Sequence, residues 1–348
     1  MPAEWEAHSR CWMGWPFRPD IWREEARPAR EAFARVAEAI SRHEPVTVCA
    51  PPGHADPARR MLPGRVELFP VPCDDAWLRD TGPTFVTCGT ELRGVDWEFN
   101  SWGGLLEDCR ADNALAGRIL RRLRVPAYRP GIVMEGGSFT VDGEGTVIVT
   151  EECLLNPNRN PGLTREQIQD VLLEHLGADR LIWLPRGLPG DTDTGGHVDN
   201  LCCFIRPGAA ALAWTDDPSD PRFEACAAAE RVLRAVTDAR GRALEVERIP
   251  LPPLQTVSAD ECRTLALSNG RPLRRPGQLL PASYINFYFA NGALIVPAFG
   301  HGPSDDAAER AFGRLFPDRT VEMVPSREIL LGGGNIHCIT QQQPAMSL

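Results

Sequence analysis

The sequence predicts an α/β fold of five radially arranged ββαβ-type repeats closed into a ring, and three observations predict it. Helix-like stretches recur roughly every seventy residues, each is followed by a short β-like run ending in proline, and paired apolar runs around a glycine turn lie between these units. The helix-like stretches are residues 21–41, 114–123, 163–176, 221–236 and 304–315. Apolar residues recur in them at three- and four-residue spacing, and several open with Asp, Thr or Ser. The β-like runs that follow are 45–51, 125–130, 180–185, 244–250 and 319–325.

The paired runs read as hairpins. Residues 138–150 fold back at Asp142-Gly143-Glu144-Gly145 and residues 286–297 at Asn291-Gly292; 201–214 and 83–97 resemble them. A fifth hairpin, at the C-terminus, lacks its second strand. The N-terminal run 9–15 is expected to supply it and so to close the ring, which removes exposed sheet edges. The whole chain, 1–348, then reads as a single catalytic domain of five repeats, the last completed by the N-terminal segment. A doubly wound alternating sheet is disfavoured by the hairpins and by the lack of a G-x-G-x-x-G loop.

Composition narrows the function. A hydrophobic share of 43% against 24% charged residues supports a sizeable core and excludes disorder. The longest apolar runs, such as 204–214 with Arg206 and Pro207 inside, are too short to span a bilayer. The opening Met-Pro-Ala-Glu-Trp-Glu does not read as a secretory signal, so the cytoplasm is the expected location. Eleven cysteines are irregularly spaced without a C-x-x-C pair, which argues against a disulfide framework and a structural zinc site. A net charge of −10 without a basic run argues against nucleic-acid binding. The chain has no lysine, which excludes a Schiff-base lysine and a phosphate-cradling G-K-[ST] loop.

Four polar motifs fall at matching places in the repeats, just before or within the hairpins. They are the run from Asp74 through Trp77 and Asp80 to Pro83, then Glu135-Gly136-Gly137-Ser138. Asp191-Thr192-Asp193-Thr194-Gly195-Gly196-His197-Val198-Asp199-Asn200 is the third, and Gly332-Gly333-Gly334-Asn335-Ile336-His337-Cys338 the fourth. Glycine permits close approach, so a cysteine behind three glycines suits a nucleophile better than core filler. Glu135 follows an apolar run and would need a partner inside. His197, two residues before Asp199, is a candidate general acid and base. Asp80 before Thr-Gly-Pro and the loop acids Asp191 and Asp193 have turn formation and solvation as competing roles. His337 is expected to alternate to the strand face opposite Cys338. A cysteine, a histidine and several carboxylates on one axis suggest covalent catalysis on a cationic electrophile, and a guanidinium fits paired carboxylates.

With these residues the chain resembles the agmatine deiminases of the pentein, or guanidino-group-modifying, superfamily. The likeness runs from Pro2-Ala3-Glu4-Trp5 to Gln341-Gln342-Gln343-Pro344. It includes Trp97-x-Phe99-Asn100-x-Trp102-Gly103-Gly104, the stretch from Thr150 through Cys153 and Asn158-Arg159 to Asn160, and Ser283-Tyr284-Ile285-Asn286-Phe287-Tyr288. The resemblance implies a five-bladed pseudo-symmetric α/β propeller and deimination of agmatine to N-carbamoylputrescine and ammonia through an amidino-cysteine. It implies Cys338 as nucleophile, His197 as general acid and base oriented by Glu135, and Asp80 and Asp199 on the guanidinium. Trp77 would lie nearby, and Asp193 would be a further active-site acid. No metal and no organic cofactor is implied, and the substrate is a small cationic guanidino compound. Members often form dimers or higher oligomers, so a homo-oligomer is expected. Thr194-Gly195-Gly196 departs from the family pattern, which more often has an asparagine or similar residue there. The rival readings are a deiminase of arginine or a guanidino-acid, an amidinotransferase, and a non-enzymatic five-bladed binding factor that would lack the Cys-His-Glu set.

Overall fold

In the computed structural model, which describes residues 1–346, five sheets are arranged as blades. Four blades repeat one plan: an antiparallel hairpin, a helix, then a third strand parallel to the second. The first has strands Thr84–Cys88, Glu91–Val95 and Ala127–Tyr128, and the second Phe139–Val141, Thr146–Thr150 and Arg180–Leu184. The third has Cys202–Arg206, Ala209–Trp214 and Glu245–Pro250, and the fourth Tyr288–Ala290, Ala293–Ala298 and Thr320–Pro325. The linking helices are Leu115–Leu123, Arg165–Leu176, Phe223–Ala235 and Gly302–Leu315.

The fifth blade joins the two ends of the chain. Strand His8–Gly14 pairs antiparallel with Thr340–Pro344, with Trp12 opposite Gln341, and parallel with Val46–Ala50. It takes the place that the second hairpin strand holds elsewhere. This blade carries a fourth strand, Glu67–Pro70, which the sequence did not signal.

The central strand of each blade is flanked on both sides, which explains the near-continuous apolar runs Thr146–Thr150 and Ala209–Trp214. Helices are stopped by local chemistry. Thr164 and Gln167 form a reciprocal capping box at the start of Arg165–Leu176, and Gly177, at φ 63°, ends it in the left-handed conformation. The helix expected over 21–41 begins only at Arg27. Glu24, Glu25 and Ala26 all have positive φ, and Pro28 sits at the first turn, where its missing N–H costs nothing. The strand expected over 125–130 shrinks to Ala127–Tyr128 between two prolines.

The first hairpin strands of neighbouring blades meet: Thr340–Pro344 touches Thr84–Cys88, and Phe139–Val141 touches Cys202–Arg206. These inner strands face the axis, so the segment leading into each one delivers its residues there. Among the described residues no helix is long and apolar enough to cross a membrane.

Candidate active site

All five blades contribute one group from the two to four residues ahead of the inner strand: Asp80, Glu135, Asp199, Asn286 and Cys338. The sequence motifs named four of these blades. Asn286 was missed as a site residue, although it lies in the Ser283–Tyr288 run that carried the resemblance.

The carboxylates are fixed before any ligand arrives. Asp80 closes the short helix Leu78–Thr81; Trp102 donates its indole N–H to Oδ2 at 2.8 Å, and the Gly137 backbone N–H donates to Oδ1 at 2.9 Å. Glu135 is fully buried and accepts from Arg159 Nε at 2.7 Å. Arg159 Nη2 also donates to the Thr194 carbonyl at 2.7 Å, which ties the Glu135 segment to the histidine loop. Arg159 thus answers the question of Glu135's partner. It too was missed, since it sits in an irregular loop with no local pattern.

Asp191 organises the loop that carries His197. It accepts from Thr194 Oγ1 at 2.6 Å, the His197 backbone N–H at 3.0 Å and Asn200 Nδ2 at 3.1 Å. The His197 ring is buried, with Nε2 3.5 Å from Glu135 Oε2 and Nδ1 3.9 Å from Asp80 Oδ1. Neither ring nitrogen has a hydrogen-bond partner among the described residues. The ring is poised among carboxylates rather than locked to one.

Cys338 lies in a turn, not a strand, just ahead of Thr340–Pro344. Its Sγ is 3.5 Å from Asp199 Oδ2 and 3.2 Å from Asn286 Nδ2. His337 lies in the same turn, so the strand alternation expected of it does not apply, and both side chains reach Asp199 Oδ2. The imidazole is held by Asp199 Oδ2 at 2.9 Å on Nδ1 and by Glu4 Oε2 at 2.9 Å on Nε2. Arg79 also reaches Glu4, at 3.3 Å. A relay therefore runs from the N-terminal segment through His337 to the carboxylate beside the nucleophile.

The glycines make room for this convergence. A Cβ at Gly137 would lie 2.6 Å from His197 Nδ1, 2.9 Å from Asp199 Oδ2 and 3.0 Å from Asp80 Oδ1. A Cβ at Gly334 would lie 2.9 Å from Cys338 Sγ and 2.7 Å from Trp77 Cζ3. Trp77 lines the cleft that leads to Cys338, stacked on Trp22 with centroids 5.4 Å apart. Asp193 lines it too, paired with Arg274, whose guanidinium also donates to the Leu331 and Gly332 carbonyls at 2.7 Å each.

Charge follows from this packing. Burial pushes the Cys338 thiol well above its ordinary range, and the charges of Asp199 and Asp80 push it further. Burial opposes the charged form of His197, yet Asp80, then Cys153 and Glu135, outweigh it and raise the imidazole well above 6.5. Burial raises the Asp80 carboxyl, the nearby His197 offsetting part of this. Burial works the same way on Glu135, but His197 and Arg159 reverse it and hold that carboxyl below its usual value. Burial and the neighbouring acids thus favour a neutral Cys338 thiol, while Asp80, Cys153 and Glu135 favour a charged His197 ring.

One group among the described residues brings metal-ligating atoms together, namely Glu135, Cys153 and His197, within 4.8 Å of one another. The sequence spacing did not indicate it. The Arg159 guanidinium already occupies Glu135 Oε1, which places a positive charge against the site of a cation.

Five blades around a cysteine, a histidine and paired carboxylates define an enzyme of the guanidino-group-modifying class. The family model for the Porphyromonas-type peptidyl-arginine deiminases matches residues 1–344. Agmatine deiminase of Stutzerimonas stutzeri is 55% identical over 352 residues, covering 99% of this chain and 95% of that protein. That of Medicago truncatula is 49% identical over 360 residues, covering 99% and 96%. The solved agmatine deiminase of Enterococcus faecalis superposes with a TM-score of 0.95 at 40% identity, covering 100% of this chain and 96% of that one. The chain belongs to the Porphyromonas-type peptidyl-arginine deiminase family.

Proposed function

We propose that the protein hydrolyses agmatine to N-carbamoylputrescine and ammonia, with Cys338 as nucleophile. The observation that carries this is the meeting of Cys338, His197, Asp80 and Asp199 around the space left by Gly137 and Gly334. The high identity to two agmatine deiminases supports the substrate. So does the cleft. Arg274, its one arginine among the described residues, is spent on Asp193 and two carbonyls, which leaves no cation for the α-carboxylate of arginine.

The chemistry follows from the charges. A guanidinium between Asp80 and Asp199 neutralises the two acids that hold the Cys338 proton in place, so binding favours the thiolate. The thiol gives its proton to solvent as the cation binds, and the sulfur attacks the guanidino carbon, breaking one C=N π bond to give a tetrahedral adduct. The His197 imidazolium gives its proton to the departing nitrogen, and ammonia leaves as the S-alkylthiouronium forms. Neutral His197 then takes a proton from water, whose oxygen attacks the same carbon. The C–S bond breaks, the thiolate regains its proton, and the ureido product leaves. Glu135, braced by Arg159, keeps His197 charged for the first half.

The test is turnover of agmatine, arginine and 4-guanidinobutyrate by the purified protein, reading ammonia and ureido product. Agmatine should exceed both others in kcat/KM by about 100-fold or more, since burying an unpaired carboxylate against this acidic cleft is costly. Equal or better use of arginine would overturn the reading.

A further inference from the structure

We propose that His337 is a positioning residue for deimination, held as an imidazolium by Glu4 and fixing Asp199 so that its free oxygen meets the guanidinium. This rests on the reading of Asp199 as a guanidinium ligand and assigns the groups that hold it. Asp199 sits in the short turn Val198–Asn200 and is buried. Among the described residues its side chain has two polar partners, the His337 ring at 2.9 Å and the Cys338 thiol at 3.5 Å, both on Oδ2. Oδ1 is buried without a partner and is the oxygen open to a substrate nitrogen. Asp80 is fixed by an indole and a backbone N–H, and Glu135 by Arg159; Asp199 has an imidazole instead.

The contacts of the ring set its charge. Nδ1 faces Asp199 Oδ2, and Nε2 faces both Glu4 oxygens, at 2.9 and 3.1 Å. A neutral imidazole carries one N–H and would turn a lone pair on one of these carboxylates; the imidazolium donates to both. Three further titratable or charged groups face it. Arg79 reaches Glu4 and the His337 carbonyl at 3.3 Å each, Cys203 lines the small cavity shared by Glu4, Asp199 and His337, and Cys338 follows in the turn. Burial and the Arg79 charge oppose ionisation of the ring, yet Glu4 and Asp199 outweigh them and hold it above 6.5.

Both ends of this arrangement are anchored. The His337 backbone N–H donates to Asn286 Oδ1 at 3.1 Å, and Asn286 Nδ2 reaches Cys338 Sγ at 3.2 Å, so one asparagine sets the ring and the thiol together. At the far end the His8 ring meets the Glu4 carbonyl at 2.9 Å. The N-terminal segment therefore reaches the guanidinium site through one ring. When that ring loses its charge, one of its two carboxylates loses a donor, and Asp199 loses the orientation it presents to the substrate.

The experiment measures kcat/KM for agmatine from pH 6 to 10 in the wild type, Glu4→Gln, Asp199→Asn and the double variant, each checked for folding by circular dichroism. Glu4→Gln should lower kcat/KM by about 10- to 100-fold at pH 8, the size expected when a hydrogen bond between charged groups is lost. Its alkaline limb should begin at least about 0.5 pH unit lower, because without the Glu4 charge the His337 proton leaves sooner. In the Asp199→Asn background the same substitution should cost less than about threefold, since it acts through Asp199. An unmoved alkaline limb, or an equal loss in both backgrounds, makes Glu4 and His337 structural and overturns the inference. Near-wild-type kinetics in Asp199→Asn alone removes the guanidinium assignment instead. Nitrogen NMR of the histidine-labelled wild type, with the His337 signal identified by its loss in His337→Gln, gives a readout independent of the Glu4 variant. The His337 ring should carry a proton on both nitrogens at pH 7, and a ring with one proton there overturns the inference.

Discussion

Replacing Glu4 by Gln removes the charge that anchors the far end of the relay through His337 to Asp199. Burial opposes ionisation of Glu4, but Arg79 and His337 outweigh it and hold the carboxyl at about 2 instead of the ordinary 4.5. A carboxyl held that low contributes about 3 kcal/mol to folding once ionised. Because the folded value is depressed, this contribution is complete above pH 4.5 and is lost as the pH falls through about 2. His337 titrates in the opposite sense. Its folded value is raised, despite burial and the Arg79 charge, by Glu4 and Asp199. Its contribution is complete below its ordinary 6.5 and is lost as the pH rises through the folded value. The gap in stability between wild type and Glu4→Gln should therefore be widest between about pH 5 and 6.5. It should shrink as the pH falls from 5 to 3 and narrow in alkali. Urea denaturation midpoints from pH 3 to 9 measure this. A gap under about 0.5 kcal/mol at pH 6, the size expected at an ordinary surface site, would refute the relay.

Asp80→Asn and Asp199→Asn should each lower kcat/KM for agmatine by about a hundred- to a thousandfold, since breaking a desolvated ion pair costs about 3–5 kcal/mol; steady-state kinetics of both variants checks it, and near-wild-type values would return the residues to turn formation. Gly137→Ala drives a methyl against His197, Asp199 and Asp80 at once. It should cost at least about 100-fold in kcat/KM with the fold retained by circular dichroism, because a misplacement of about 1 Å is worth that much. Chelators should leave activity intact, because Arg159 rather than a metal ion balances Glu135; activity lost in EDTA and restored by zinc or manganese would count against this.

Local pattern made the propeller readable. Hairpin turns such as Asn291-Gly292 and the amphipathic helices are short-range signals, and the missing second strand at the C-terminus pointed to the N-terminal run. What local pattern could not show is what depends on distant partners. Strand Glu67–Pro70 carries no alternation of its own and forms by adding to the outer strand Val46–Ala50. Strands Gln255–Thr256 and Leu279–Leu280, which pair in the segment ahead of the fourth blade, are two residues each and leave no periodicity.

The site divides the same way. Cys338, His197, Glu135, Asp80, Asp199, Trp77 and Asp193 stand in glycine-rich or acidic motifs before the inner strands. Arg159, Trp102, Asn286 and Glu4 act through contacts with residues 22 to 333 positions away in the chain. Their signal was present only as unassigned parts of the resemblance motifs. The recurrence of a polar group ahead of every inner strand could have identified Asn286.

The most direct test of covalent catalysis at Cys338 is mass spectrometry of protein denatured during steady-state turnover of agmatine. The Cys338 peptide should gain the mass of agmatine less ammonia. Cys338→Ala should fold, show no such adduct and release no ammonia. Turnover by Cys338→Ala, or an unmodified Cys338 peptide while ammonia accumulates at a rate limited by hydrolysis of the intermediate, would contradict the account.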